Sequence, residues 1–210
     1  MKNLKKIIYF FCLSIAFTAC DLADPIESEI TEYAEFEVNE GPYVYWQSGT
    51  PFVDPGVIAT AGEDELEVSV AGTVDVNTPG VYVLTYSAVN ADGFSATTNR
   101  FVAVGDQEVA FNRDLSGVYT VGTRTNTVTR IQPGFYQNSD VLPPNAISVF
   151  MVDLGTGELV IPPQPSRFGS VSADPAVSAG SFGRLDSETS FTLSLKIGGN
   201  PLFVRNFTKQ

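Results

Sequence analysis

Beyond residue 20 the chain carries no sustained helical periodicity. Short runs of alternating apolar and polar residues stand between clusters of Gly, Pro, Asp and Asn. A period of two places successive side chains on opposite faces of a strand, so the series reads as an all-β chain built of sandwiches or barrels. Ala34, Phe36 and Val38 alternate with Glu35 and Glu37, and Val68, Val70 and Gly72 alternate within 67–74. Tyr82, Leu84, Tyr86 and Ala88 share one face of 81–89, behind the turn Thr78-Pro79-Gly80. Ala91-Asp92-Gly93 then turns the chain, since Asp-Gly tolerates the positive φ of a hairpin, and 97–104 returns as a strand.

Gly105-Asp106-Gln107 breaks this series and places a module boundary near 106–110. The second series has about eight short strands, including 115–120, 125–131, 146–152, 159–161, 189–197 and 202–207. Phe135 and Tyr136 follow the turn Pro133-Gly134, and Asp153 to Glu158 forms a hairpin turn. Phe191, Leu193, Leu195 and Ile197 are expected inward, with Thr192, Ser194 and Lys196 outward; 172–180, with Pro175 inside, is expected as a mobile loop.

Charge divides the chain again. The 210 residues hold 24 acidic and 12 basic side chains and no histidine. Without histidine there is no Ser-His-Asp triad, Cys-His dyad or His-ligated zinc, and the acidic excess opposes binding to nucleic acid. Residues 1–19 hold Lys2, Lys5 and Lys6 and no acid; 20–99 hold 15 acids and no base; 100–210 hold nine of each. The basic start, the apolar run 7–17 and Phe17-Thr18-Ala19-Cys20 resemble a bacterial lipobox, which implies a signal peptide at 1–19 and a lipid attached to Cys20. The run is short of the ~20 residues of a permanent span, and two or three acyl chains would hold the protein on a bilayer. Cys12 would leave with the leader, so no intramolecular disulfide is expected, and the acidic stretch 20–30 reads as a tether.

Within 31–105, Phe52-Val53-Asp54-Pro55-Gly56-Val57 and Thr78-Pro79-Gly80-Val81-Tyr82 resemble the bacterial Ig-like domain named after an insecticidal crystal protein. The resemblance implies an Ig-like β-sandwich that serves as a spacer or presenter. Tyr82 and Tyr86 are read as core, with Tyr82 in the manner of a tyrosine corner. Glu63, Asp64 and Glu65 form an acidic turn; it reads as solvated, with calcium as the other reading, and no cofactor is expected. The second module, 109–210, is expected as an antiparallel sandwich or small barrel. Through Asp114 to Thr120, Leu159 to Gln164, Phe168-Gly169 and Arg205 to Lys209 it resembles the C-terminal module of unknown function found in surface lipoproteins of glycan-foraging Gram-negative bacteria.

These features imply a lipid-anchored outer-membrane protein facing the cell exterior, non-catalytic, that binds polysaccharide or presents a binding module. The alternative is a spacer or adhesion subunit of an outer-membrane transporter complex without glycan affinity. Sugars stack their C–H faces on aromatic rings, which selects Tyr43, Tyr45 and Trp46 in the first module and Phe135 and Tyr136 in the second as candidate contacts. Each of these rings also reads as strand packing. A carboxylate pair is the one route to glycoside hydrolysis left without histidine, but the acids fall mostly in turns and on outward faces, so no catalytic residue is expected.

Overall fold

The computed structural model describes residues 31–210. The expected leader 1–19, Cys20 and the tether 20–30 lie outside the described residues. Seven strands precede residue 106: β1 (Glu35–Val38), β2 (Tyr43–Gln47), β3 (Val57–Ala61), β4 (Asp64–Leu66), β5 (Ser69–Ala71), β6 (Gly80–Val89) and β7 (Ser95–Gly105). They form two sheets, β1-β3-β4 and β2-β7-β6-β5, with β2 parallel to β7. Leu84, Tyr86, Val102 and Val104 of the larger sheet meet Phe36 and Val57 of the smaller one, with Trp46, Phe52, Val68 and Tyr82 packed around them.

The alternation expected in β6 is present, with Leu84, Tyr86 and Ala88 buried. The Tyr82 hydroxyl donates to the Thr78 carbonyl at 2.7 Å, the bond of a tyrosine corner. The run 67–74 departs from expectation. Its strand, β5, has only three residues and pairs with β6 alone, and Val70 is 53% exposed. Gly72 has φ +108°, which ends the regular alternation, and Val68 and Val74 reach the core instead.

Arg100 is the one basic residue in 31–105, and it is fully buried. Its guanidinium pairs with the Asp54 carboxylate and donates to the Tyr86 hydroxyl and to the carbonyls of Asn39 and Gly56. The Asp-Pro-Gly segment thus carries the counter-ion for the only cation of the sandwich.

After β7 the chain forms a short helix, Gln107–Asn112, where the sequence suggested only a break. The Asp106 carboxylate caps it by accepting from the Val109 N–H at 3.2 Å. Nine strands follow: β8 (Gly117–Val121), β9 (Arg124–Gln132), β10 (Phe135–Asn138), β11 (Val149–Asp153), β12 (Glu158–Ser166), β13 (Gly169–Ala173), β14 (Phe182–Ser187), β15 (Ser190–Ile197) and β16 (Phe203–Lys209). The order β11-β10-β9-β8-β16-β15-β13-β12 is closed by pairing of β12 with β11, which makes an eight-stranded antiparallel barrel. The ninth strand, β14, pairs with the first halves of β12 and β15. Tyr119, Tyr136, Met151, Ile161, Phe191, Leu193, Leu195 and Phe207 fill the interior.

Two expectations for this module are corrected. Ser172 and Ala173 belong to β13 and are buried. Thr192 and Ser194 are also buried, because β14 and the turn before it cover that face of β15: Ser194 Oγ donates to the Gly180 carbonyl at 2.8 Å and Thr192 Oγ1 to Asp186 at 2.6 Å. The remaining inward set, Phe191 to Ile197 in steps of two, is as expected.

Candidate functional site

The antiparallel path gives the barrel two distinct ends. The turns Pro133-Gly134 and Asp153–Glu158 lie at one end. The loop between β10 and β11, the β12–β13 turn and the β15–β16 turn lie at the other.

The Ig-like sandwich docks on the first end. Tyr45, Ala103, Ala110, Phe135, Val152, Leu154 and Val160 form a single buried cluster with Tyr43, Val81 and Phe150 against it. Ring centroids link Tyr43 to Phe150 at 4.9 Å, Tyr43 to Phe135 at 5.5 Å and Tyr45 to Phe135 at 6.0 Å. The Asp106 N–H donates to the Leu154 carbonyl at 2.8 Å, and Gln132 Nε2 donates to the Tyr43 carbonyl at 2.9 Å. The approach requires glycine: a Cβ on Gly105 would overlap the Leu154 carbonyl, and one on Gly134 (φ +80°) would stand 2.7 Å from the Tyr45 ring.

This junction decides the fate of the candidate sugar contacts. Tyr45 and Phe135 are buried within it, and Tyr43 spends its ring on Phe101, Phe135 and Phe150. Burial raises the Tyr45 hydroxyl far above its ordinary pKa, with Asp153 and Asp106 adding to the effect. Tyr136 lies inside the barrel, where its hydroxyl donates to the Arg113 carbonyl at 2.9 Å. Trp46 is half-buried on the sandwich core, edge-on to Phe52, and its Nε1 donates to the Thr50 carbonyl at 3.1 Å. The expected glycan contacts at Tyr45, Phe135 and Tyr136 are therefore corrected, because these rings are buried in the junction or the barrel core, while Tyr43 is half-buried with its ring packed on Phe101, Phe135 and Phe150. Glu63, Asp64 and Glu65 are exposed where β3 turns into β4; among the described residues no cluster of three or more His, Cys, Asp or Glu is placed to hold a metal ion.

Apart from a hollow of about 220 Å³ on the sandwich lined by Glu35, Phe36, Glu37, Ile58 and Thr60, three concave features stand out among the described residues. A cleft of about 620 Å³ beside the short helix is lined by Glu108, Asn112, Arg113, Asp114, Glu188 and Lys209, charges of both signs. A crevice of about 410 Å³ at the junction runs past Tyr82, Leu154, Val160 and Phe182 with Glu158 and Asp174 beside them. The third, about 180 Å³, opens at the barrel end away from the sandwich and is lined by Leu142, Asn145, Phe168, Ile197, Asn200 and Phe203.

Sequence reasoning did not single out this third pocket. Phe168 stands at the β12–β13 turn and is 45% exposed, Phe203 opens β16 half-buried, and Leu142 and Ile197 form an apolar floor. Asn145 and Asn200 supply side-chain amides, each a donor and an acceptor. Among the described residues the Asn145 amide makes no hydrogen bond within the chain, and Asn200 commits one donor, to the Ile197 carbonyl at 3.0 Å. Asp140 shapes the loop: its Oδ1 accepts from the N–H groups of Leu142 and Ile147 and its Oδ2 from Ala146. Aromatic and apolar surface with uncharged amides at its edge is the chemistry that a sugar ring requires, since it presents C–H faces and hydroxyls together.

Residues 36–104 match the family model described as the Ig-like domain of bacterial surface proteins. Among solved structures, the chain is similar to the lipoprotein BT2262 from Bacteroides thetaiotaomicron, with 24% sequence identity and a TM-score of 0.38, over 85% of this chain and 100% of that one. No curated protein matches the chain.

Proposed function

We propose that this chain is a non-catalytic, lipid-anchored protein of the outer membrane, facing the cell exterior, that holds polysaccharide at the open end of its barrel. The observation that carries the reading is the pocket of Phe168 and Phe203 with Asn145 and Asn200 at its edge. The match of 36–104 to a surface-protein domain supports the location, and the lipobox at Cys20 supports the anchor. The order of parts supports the orientation. Anchor and tether precede the sandwich in sequence, the sandwich docks on one barrel end, and the pocket opens at the other. Such a stem would hold the pocket away from the bilayer. A membrane transporter is the partner such a protein would serve.

Affinity electrophoresis against a panel of plant and host polysaccharides tests the reading. At least one polymer should retard the protein, and Phe168→Ala should abolish that retardation while Trp46→Phe leaves it unchanged. A panel with no retardation, or a Phe168→Ala protein retarded as strongly as the wild type, would overturn it; a spacer subunit without glycan affinity would then be the better description.

A further inference from the structure

The pocket at the barrel end is uncharged in its lining and basic at its rim. The Arg167 guanidinium lies over the Phe168 ring, 4.8 Å from its centroid, and the Arg205 guanidinium lies over the Phe203 ring at 5.9 Å. Alternation along β16 puts Phe203 and Arg205 on the same face of the strand. Lys196 Nζ donates to the Asn200 carbonyl at 2.7 Å. Each of these three cations is thus held against a residue that lines the pocket.

Elsewhere in the barrel Arg113 pairs with Asp153 and Arg184 with Asp186, both at 2.9 Å, whereas Arg124, Arg130 and Lys209 form no ion pair among the described residues. Among the described residues Arg167, Lys196 and Arg205 form no ion pair, though they are three of the eight basic residues in 109–210. The loops at this end contain one carboxylate, Asp140, whose oxygens already accept from three backbone N–H groups. Cation–π stacking explains where two of the cations sit; Arg205 commits one Nη1 N–H to the Val204 carbonyl at 2.8 Å, and the other guanidinium N–H groups of the two residues make no hydrogen bond among the described residues. Those groups match carboxylate and sulfate oxygens, to which a guanidinium donates in pairs.

We propose that the polysaccharide held at this pocket is anionic, a chain whose sugars carry carboxylate or sulfate groups. The inference rests on the reading of the barrel end as a glycan site. The apolar floor receives the ring of one sugar unit, and Arg167, Lys196 and Arg205 receive the acidic substituents of that unit and its neighbours.

The test is affinity electrophoresis of the full chain in detergent, in gels containing polygalacturonate, chondroitin sulfate or dextran. At least one of the acidic polymers should retard the protein and dextran should not. The double variant Arg167→Gln/Arg205→Gln should weaken retardation about tenfold, and Arg184→Gln, on a cation already paired, should not. Raising salt from about 0.05 M to about 0.5 M should also weaken it, since the rim is exposed and screened. Retardation by neither acidic polymer, or by an acidic polymer equally in wild type and double variant, overturns the inference. If dextran or another neutral polymer then retards the protein through Phe168, the glycan reading survives without the charge preference; if no polymer does, both fail.

Discussion

Arg100 and Asp153 are buried charges with opposite consequences. A buried guanidinium without partners would cost several kcal/mol, and Arg100 avoids that through Asp54, Tyr86 and the backbone carbonyls of Asn39, Gly41 and Gly56. Burial, together with the hydrogen bond to Asp54, pushes the Tyr86 hydroxyl up to about 12, so it stays protonated and can donate to the carboxylate. Asp54→Ala should lower unfolding free energy by about 3 kcal/mol in urea titration, because it strands a buried cation. A loss below about 1 kcal/mol would contradict the role given to the pair. Asp153 is raised above the ordinary carboxyl value, first by burial, against the lowering effect of the Gly155 N–H and of Arg113. The folded state therefore binds its proton more tightly than the unfolded chain does. That contribution is complete below the unfolded value, about 3.9, and is lost as pH rises through the folded value. The stability of the wild type relative to Asp153→Asn should accordingly fall as pH is raised from about 3 to about 7. A difference that stays constant, or grows, would show that burial does not dominate at this carboxylate.

At the scale of elements, the junction is where two modules become one body. Residues 32–210 form one compact unit, even though no strand pairing crosses from sandwich to barrel among the described residues. What crosses is a cluster of rings, and Phe135 is its centre, touching Tyr43, Tyr45 and Phe150. Phe135→Ala should cost about 3 to 5 kcal/mol and split a single thermal transition into two, read by calorimetry. Two transitions already present in the wild type would contradict the shared core. Legibility also varies by element. β6 and β15 are readable because their alternation runs for eight residues or more. β13 and β14 are not, being short and rich in Gly and Ser, so that only pairing to their neighbours makes them strands. β12 continues through Pro162 and Pro163, which look like a stop, because the register with β13 shifts between Ile161 and Gln164 and leaves the prolines outside the ladder. The pocket was hidden for a related reason. Its rings, Phe168 and Phe203, are far apart in sequence, whereas the adjacent rings that attract attention sit at strand spacing and are spent on packing.

For the molecule as a whole, charge and geometry run in one direction. Basic residues are absent from 20–99, and the sandwich keeps its one cation for its own core. Three cations without a carboxylate partner, Arg167, Lys196 and Arg205, stand around the pocket at the barrel end remote from the sandwich. On the proposed function, the Ig-like module, whose Tyr43 and Tyr45 rings are taken up by docking, serves as a stem and the barrel carries recognition. Hydrogen–deuterium exchange of the full chain, with and without a polysaccharide that retards it, tests this division most directly. The prediction is added protection in 142–146, 166–169 and 197–203, with Tyr43–Gln47 unchanged. Protection in the sandwich or along the junction crevice, with the barrel end unchanged, would contradict it.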